Sequence, residues 1–117
     1  MPPRLEILYV EDHTIFADQV IKTLLGDHEV TLVPSLALAR EAAAGFGHDL
    51  LLVDYDLEDG KGAELVRELR RKGFPGLIVA VSAHDEGNEA LIRAGANAVC
   101  AKRDMPTLGR VLDDLGF

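Results

Sequence analysis

The chain has 117 residues, of which 48% are hydrophobic and 27% are charged. This length and balance predict one globular domain of ordinary size and exclude a disordered tail or a fibre. Asp and Glu number 20 against 12 Lys and Arg, giving a net charge of -8. So acidic a chain is unsuited to holding a nucleic-acid backbone through clustered cations.

A single cysteine excludes an internal disulfide and favours a reducing compartment. The first residues lack the apolar run of a signal peptide. No stretch of the chain approaches the roughly 18 apolar residues of a membrane span. These features predict a cytoplasmic protein that binds neither a membrane nor, directly, a nucleic acid.

Short apolar runs alternate along the chain with longer amphipathic stretches. The third and fourth runs are apolar without interruption, which favours strands covered on both faces, as in a parallel sheet. The runs predict five strands, at residues 5–10, 29–33, 50–53, 77–81 and 98–101.

Five helices are predicted between and after these strands. Thr14 is predicted to cap the first helix and Ser35 the second. The other three are predicted at residues 63–72, at residues 86–94 and from about Pro106 onward. Regular alternation of strands and helices predicts an α/β fold with right-handed crossovers and helices on both faces of the sheet.

Polar side chains follow four of the predicted strands. Glu11 and Asp12 follow the first, Asp54 the third, Ser82 the fourth and Lys102 the fifth. The functional site of such a sheet lies at the carboxyl ends of its strands, so we expect these side chains to meet. A set of solvated loop carboxylates is the simpler interpretation. The hydroxyl of Ser82 and the ammonium of Lys102, which also follow predicted strands, disfavour it.

The chemistry of this set indicates a phosphoryl site. Three carboxylates at one edge repel one another unless a cation lies among them, and hard oxygen ligands suit Mg²⁺. An ammonium and a hydroxyl from neighbouring strands can hold the oxygens of a phosphoryl group. An aspartate oxygen in that setting can act as the nucleophile that becomes an acyl phosphate.

These motifs resemble those of the receiver domains of two-component response regulators. The resemblance covers essentially the whole chain, and its strength lies in five weak motifs that occur in the family's order and strand phase. The motifs are Glu11-Asp12, Asp54-Tyr55-Asp56-Leu57 leading to Gly62, Ser82-Ala83, Ala94-Gly95-Ala96-Asn97-Ala98 and Val99-Cys100-Ala101-Lys102. The resemblance implies one receiver domain over residues 1–117 with no output domain. It also implies a (βα)5 doubly wound sheet with the flavodoxin-like strand order 2-1-3-4-5.

The resemblance implies roles for the acidic residues. Asp54 would accept a phosphoryl group from a sensor histidine kinase or a phosphotransfer domain. Asp12 and Asp54 would bind Mg²⁺ directly, Glu11 would act through water, and Asp56 would contribute its backbone carbonyl. The domain would catalyse its own phosphorylation and slow dephosphorylation without being a turnover enzyme.

The same resemblance implies how a signal leaves the domain. Ser82 and Lys102 would each contact a phosphoryl oxygen, and Ser82 would move toward it on activation. Phosphorylation would then change the surface formed by the fourth helix, the fifth strand and the fifth helix. That surface would bind a downstream protein or a second copy of the chain.

Some positions depart from the family's pattern. Receivers usually carry Tyr or Phe, as a rotameric switch, where this chain has Val99. Arg103 and Glu58 stand where Pro is common, and in the family the bond before the Pro that follows the Lys is often cis. A cis bond before a residue other than proline costs about 2.5–4 kcal/mol, so a trans bond or a rearranged loop is expected at Arg103. Asp56 and His84 occupy two variable positions that tune the lifetime of the aspartyl phosphate in the family.

Two other hypotheses stay open. Val99 is compatible with a degenerate receiver that binds a partner without phosphorylation, although such a chain has no physical need for clustered carboxylates. The Asp54-Tyr55-Asp56 segment also resembles the nucleophile motif of haloacid-dehalogenase-type phosphatases, in which the second Asp is a general acid. The short chain, the mid-chain position of the motif and the lack of an acidic pair after Lys102 oppose this hypothesis.

The remaining side chains have simpler interpretations. Cys100 lies in an apolar strand and is predicted to be a small buried hydrophobe. A basic run in the third helix is interpreted as a solvated helix face. The run consists of Arg67, Arg70, Arg71 and Lys72.

Overall fold

A computed structural model, which describes residues 4–117, contains one sheet of five parallel strands. Their order across the sheet is β2-β1-β3-β4-β5, so the predicted 2-1-3-4-5 topology is confirmed. Residues 1–3, part of the segment used to argue against a signal peptide, lie outside the described residues. The strands are β1 (Glu6–Val10), β2 (Glu29–Val33), β3 (Leu50–Val53), β4 (Leu77–Ala80) and β5 (Ala98–Val99).

Five α-helices connect and follow the strands. They are α1 (Thr14–Leu24), α2 (Leu36–Ala43), α3 (Gly62–Arg71), α4 (Asp85–Ala94) and α5 (Leu108–Asp114). A 3-10 helix at Lys102–Thr107 contains Pro106, so the last α-helix begins after this proline rather than at it. Within residues 4–117, no helix has the length and apolar character that crossing a membrane requires.

Several ends of the other helices follow the sequence signals, but the start of α1 does not. The hydroxyl of Ser35 caps α2 by accepting a hydrogen bond from a backbone N–H in its first turn, at 3.2 Å. Thr14 does not cap α1, because it is already the first helical residue and His13 precedes it. Gly73 and Gly95 follow α3 and α4 with φ of 90° and 127°, a conformation that glycine adopts without strain.

Two hydrophobic layers cover the sheet, one on each face. In β1, Leu8 and Val10 pack in the layer formed with α2, α3 and α4, whereas Ile7 and Tyr9 pack with α1 and α5. All four side chains are at most 1% exposed. The strands at the centre are therefore buried on both faces, as the uninterrupted apolar runs predicted.

The strand register brings the residues that follow β1 and β3 to the same edge. Val10 pairs with Val53, and Val53 pairs with Ala80. Glu11 and Asp54 are consequently the first residues beyond the sheet on two adjacent strands. Backbone register alone thus places two of the predicted carboxylates side by side.

Strand β5 is shorter than predicted, but its pairing continues beyond the strand itself. The backbone N–H of Cys100 donates to the carbonyl of Ala80 at 2.8 Å, and that of Lys102 to the carbonyl of Ser82 at 3.2 Å. These bonds hold the chain around Lys102 beside Ser82. Cys100 is 2% exposed, which confirms its predicted burial.

A short antiparallel hairpin that the sequence analysis did not predict follows β3. Asp56–Leu57 pairs with Gly60–Lys61. Asp59, in the turn, accepts hydrogen bonds from the backbone N–H groups of Leu36 and Ala37 at 2.8 and 3.0 Å. The loop after β3 is therefore attached to the first turn of α2.

Candidate functional site

Three carboxylates lie together at the carboxyl edge of the sheet. Glu11, Asp12 and Asp54 each offer an oxygen, and these oxygens lie within 4.8 Å of one another. Glu11 is fully buried, Asp54 is 6% exposed, and Asp12 is exposed to solvent. The predicted meeting of these three side chains is present in the structure, and solvent reaches the cluster at Asp12.

Lys102 reaches the cluster from the loop after β5. Its Nζ lies 2.8 Å from Oε1 of Glu11 and 3.0 Å from Oδ2 of Asp54. Phe16 of α1 lies beside the ammonium, with Nζ 5.4 Å from the centre of the ring, a cation–π distance. The sequence analysis did not identify Phe16, because an aromatic residue on an amphipathic helix is ordinarily part of the core.

The charges of this group do not balance. When all three carboxylates are ionised, the one ammonium leaves two negative charges in excess. Burial raises the pKa of Glu11 to about 7, against the opposing hydrogen bond from Lys102 and with a further rise from the charge of Asp54. Burial lowers the pKa of Lys102, but its hydrogen bonds to Glu11 and Asp54 outweigh this effect and hold the pKa above its ordinary value.

This donor set fits a hard divalent cation. Mg²⁺ takes oxygen ligands and commonly binds one or two carboxylates while keeping several waters. Asp12 and Asp54 can supply the carboxylates, and the two excess negative charges match the charge of the ion. The side chain of Asp56 is not part of the cluster: it is exposed and forms an ion pair with Lys61.

Both carboxylate oxygens of Asp54 have hydrogen-bond partners. Oδ1 accepts a hydrogen bond from the backbone N–H of Tyr55 at 2.7 Å, and Oδ2 accepts one from Lys102. The N–H of Gly62 donates to the carbonyl of Tyr55 at 2.6 Å. These contacts fix the orientation of the carboxylate and of the loop that carries it.

Ser82 is buried at the end of β4, at 2% exposed. Its hydroxyl accepts a hydrogen bond from the backbone N–H of His84 at 3.2 Å. Its own backbone N–H and carbonyl both bind the side-chain amide of Asn88 in α4. Asn88 was not predicted, and its only signal in the sequence is a polar residue within a predicted amphipathic helix.

The surface beside α4 contains two of the residues that depart from the family pattern, Val99 and Arg103. The side chain of Val99 is 39% exposed and that of Ile92 41%. Both line a groove of about 580 Å³ between α4, β5 and the 3-10 helix. The peptide bond before Arg103 is trans, as expected, and Arg103 forms an ion pair with Asp85 at 3.0 Å.

The basic run on α3 is not uniformly solvated. Arg67, Arg71 and Lys72 are exposed, but Arg70 is half-buried. Its guanidinium donates at 2.7–3.0 Å to the carbonyl oxygens of Phe74, Gly76 and Gly95 and to Oδ1 of Asn97. The interpretation of the whole run as a solvated face was therefore wrong for Arg70, which joins the ends of α3 and α4.

The chain matches the family model described as "Response regulator receiver domain" over residues 7–112. It therefore belongs to the receiver domains of two-component response regulators, which are signalling domains. Receiver domains interact with histidine kinases and bind Mg²⁺ through acidic residues, and the acidic cluster of this chain is of that kind.

Curated relatives carry the same domain within longer chains. Transcriptional regulatory protein DpiA of Escherichia coli strain K12 is 35% identical over 86 residues, which are 71% of this chain and 38% of that protein. Two-component response regulator PhoP of Pseudomonas aeruginosa is 31% identical over 102 residues, 84% of this chain and 45% of that protein. The matched segments thus span less than half the length of these relatives.

Solved receiver domains have the same fold. The Francisella response regulator 1452 receiver domain aligns with a TM-score of 0.84 and 16% identity, covering 96% of each chain. A CheY-like receiver domain from Methylobacillus flagellatus aligns with a TM-score of 0.82 and 24% identity, covering 97% of this chain and 99% of that chain. At these identities the likeness concerns the fold.

Proposed function

We propose that this chain is a phosphoacceptor domain, in which Asp54 receives a phosphoryl group from a histidine kinase or a phosphotransfer domain in a Mg²⁺-dependent reaction. The observation that carries the proposal is the meeting of three carboxylates and Lys102 at one edge of the sheet, next to Ser82. Membership of the receiver family supports the class of phosphodonor.

In the proposed reaction an oxygen of Asp54 attacks the phosphorus of a phosphohistidine. The new O–P bond forms as the N–P bond breaks, and the released ring nitrogen takes up a proton. Asp12, Asp54 and the carbonyl of Asp56 would hold Mg²⁺, with Glu11 acting through water. When bound, the ion neutralises negative charge on the transferred group. Lys102 already binds one oxygen of Asp54, and its ammonium would stabilise the negative charge on an oxygen of the transferred phosphoryl group.

The signal would leave through the surface formed by α4, β5 and α5, with Ser82 moving toward the phosphoryl group. A downstream protein or a second copy of the chain would bind this surface. The proposal treats residues 1–117 as a single receiver domain that acts by protein contact rather than by direct nucleic-acid binding. A cytoplasmic location is part of the same proposal, supported by a free buried thiol at Cys100, which fits a reducing compartment.

Intact mass spectrometry after incubation with acetyl phosphate and Mg²⁺ tests the proposal. A gain of about 80 Da, one phosphoryl group, is expected for the wild-type chain and not for Asp54→Asn or without Mg²⁺. Asp56→Asn is a matched control, because the Asp56 side chain is exposed and paired with Lys61, away from the cluster. This variant should still gain the phosphoryl group.

The same incubation separates the two other hypotheses when release of inorganic phosphate is followed. Steady release that is lost in Asp56→Asn would indicate a phosphatase that uses this residue as its general acid. A folded chain that neither gains mass nor consumes the donor would indicate a binding module that works without phosphorylation. Either result would contradict the proposed function.

A further inference from the structure

Asn88 joins α4 to the end of β4 through two buried hydrogen bonds. Its Oδ1 accepts from the backbone N–H of Ser82 at 2.9 Å, and its Nδ2 donates to the carbonyl of Ser82 at 3.1 Å. Asn88 is 4% exposed and Ser82 2%. The amide thus pairs with Ser82 as a neighbouring strand would, but it belongs to a helix.

The carbonyl of Ser82 is also bonded toward the acidic cluster. It accepts a second hydrogen bond from the backbone N–H of Lys102 at 3.2 Å, and the side chain of Lys102 binds Glu11 and Asp54. An unbroken series of contacts therefore runs from Asp54 through Lys102 and Ser82 to Asn88. Its last member lies on α4, outside the cluster itself.

Close packing leaves no space between α4 and Ser82. A Cβ built at Gly87 would lie 2.7 Å from the hydroxyl oxygen of Ser82 and 2.9 Å from Cβ of Tyr55. The residue before Asn88 therefore has to be this small for the first turn of α4 to reach the end of β4. Helix α4 and the end of β4 are in direct contact, so a displacement of one requires the other to move.

Asn88 is also one of the residues that line the groove between α4, β5 and the 3-10 helix. Val99 also lines this groove and carries no ring that could turn from the surface toward Ser82. Asn88 thus contacts both the buried strand end and the exposed groove. This position allows it to couple the end of β4 to the groove.

We propose that Asn88 is the positioning residue that couples the phosphoryl site to α4 in this protein, an inference that rests on the proposed function. When the backbone of Ser82 shifts toward a group on Asp54, the shift would break two buried hydrogen bonds unless α4 moves with it. The coupling acts through the backbone of Ser82 and one amide, without a side-chain switch at Val99. Occupation of the site then shifts the population of α4 positions.

Beryllium trifluoride with Mg²⁺, a non-covalent mimic of an aspartyl phosphoryl group, tests the coupling by amide chemical shifts. In the wild-type chain, amides near Asp54 and amides of α4 are expected to shift together. Asn88→Leu keeps a similar volume but makes neither hydrogen bond. At saturating probe it should retain the shifts near Asp54 while the α4 shifts fall to less than half. Ile92→Ala, on the same helix but in the groove, is the control and should keep both.

Loss of stability alone would not change the ratio of the α4 response to the response near Asp54, so this ratio separates coupling from a structural role. Unchanged α4 shifts in Asn88→Leu, with the site fully occupied, would overturn the inference and leave the proposed function intact. A wild-type chain in which the amides near Asp54 do not respond to the probe would contradict the proposed function itself, and the inference with it.

Amide hydrogen exchange of the wild-type chain gives a second test that does not need the variant to fold. The N–H of Ser82 is bonded to Asn88, so its exchange rate and the rates of the α4 amides should change by similar factors when the probe binds. A change at Ser82 with no change in α4 would overturn the coupling.

Discussion

Gly62 lies where the first turn of α3 meets the backbone of Asp54. A Cβ at this position would collide with the carbonyl oxygen of Asp54 and lie 3.0 Å from the side chain of Val53. A backbone atom cannot move away by changing rotamer, so the helix or the loop would have to shift. We expect Gly62→Ala to lower the free energy of unfolding by about 1–3 kcal/mol, measured by urea denaturation.

Gly109 is a matched control for this substitution. It is the second residue of α5 and directly continues the 3-10 helix, and a Cβ built there meets no atom from elsewhere in the chain within 4 Å. Alanine in place of glycine inside a helix stabilises by about 0.5–1 kcal/mol, so Gly109→Ala should raise the free energy of unfolding. A neutral or stabilising effect of Gly62→Ala would show that the close approach to Asp54 is not a constraint on the fold.

The side chains of the site differ in how far the sequence could predict them. Glu11, Asp54 and Lys102 follow strands or the pairing that extends them, so backbone register alone brings them together. Phe16 and Asn88 lie within helices instead. Their contacts depend on how each helix is rotated about its axis and how closely it approaches the sheet, which residue spacing does not determine.

One guanidinium bridges the ends of α3 and α4. Arg70 donates four hydrogen bonds, three of them to backbone carbonyls near the ends of the two helices. Arg70→Met would leave these acceptors without their donor, and we expect the free energy of unfolding to fall by about 1–3 kcal/mol. Arg70→Lys should not restore the lost stability, because a single ammonium cannot reach all the acceptors that the planar guanidinium group contacts.

Arg71→Met is the control, since Arg71 is exposed on the same helix. Surface substitutions of this kind change stability by about 0.5 kcal/mol or less. Urea denaturation of the three variants and the wild-type chain measures the difference. Equal effects of Arg70→Met and Arg71→Met would contradict the assignment of Arg70 as the brace between the helices.

The attachment of the hairpin to α2 predicts that part of the stability of the fold depends on pH. Backbone hydrogen bonds from Leu36 and Ala37 lower the pKa of Asp59. A carboxyl whose pKa is lower in the folded state stabilises above its unfolded pKa of about 4, and this stabilisation is lost as the pH falls through the folded value. Asp59→Ala should therefore be less stable than wild type at pH 7, and the difference should shrink at about pH 3.

Thermal unfolding of both proteins at the two pH values measures this difference. Glu58→Ala is the control, because Glu58 is an exposed carboxylate next to Asp59 in the same hairpin. It should behave like the wild-type chain at both pH values. A difference for Asp59→Ala that is the same at pH 7 and pH 3 would show that the carboxylate charge does not hold the hairpin to α2.

Elements of different length were not equally predictable. The runs at Leu50–Val53 and Leu77–Ala80 are apolar throughout, and burial on both faces requires that pattern. The strands of the hairpin, Asp56–Leu57 and Gly60–Lys61, are two residues each, too short to show an alternation of apolar and polar residues. Its attachment comes from Asp59, whose partners lie more than 20 residues away in the sequence.

Mg²⁺ should stabilise the folded chain as a whole, because only folding brings the three carboxylates together. An ion that binds the folded state alone adds RT ln(1 + [Mg²⁺]/Kd), about 2.7 kcal/mol at 100 times Kd. Asp12→Asn removes one charge of the cluster from an exposed position. Without Mg²⁺ the variant should be at least as stable as wild type, since repulsion among the carboxylates is reduced.

With Mg²⁺ the order should reverse, and Asp12→Asn should need about tenfold more Mg²⁺ or more for the same stabilisation. Urea denaturation over a Mg²⁺ series at constant ionic strength measures both effects, since screening by salt is then equal in every sample. Asp18→Asn changes the net charge equally at an exposed position on α1 and should respond to Mg²⁺ like the wild-type chain. Equal Mg²⁺ responses of all three proteins would mean that the ion acts on the overall charge of this acidic chain rather than at the cluster of Glu11, Asp12 and Asp54.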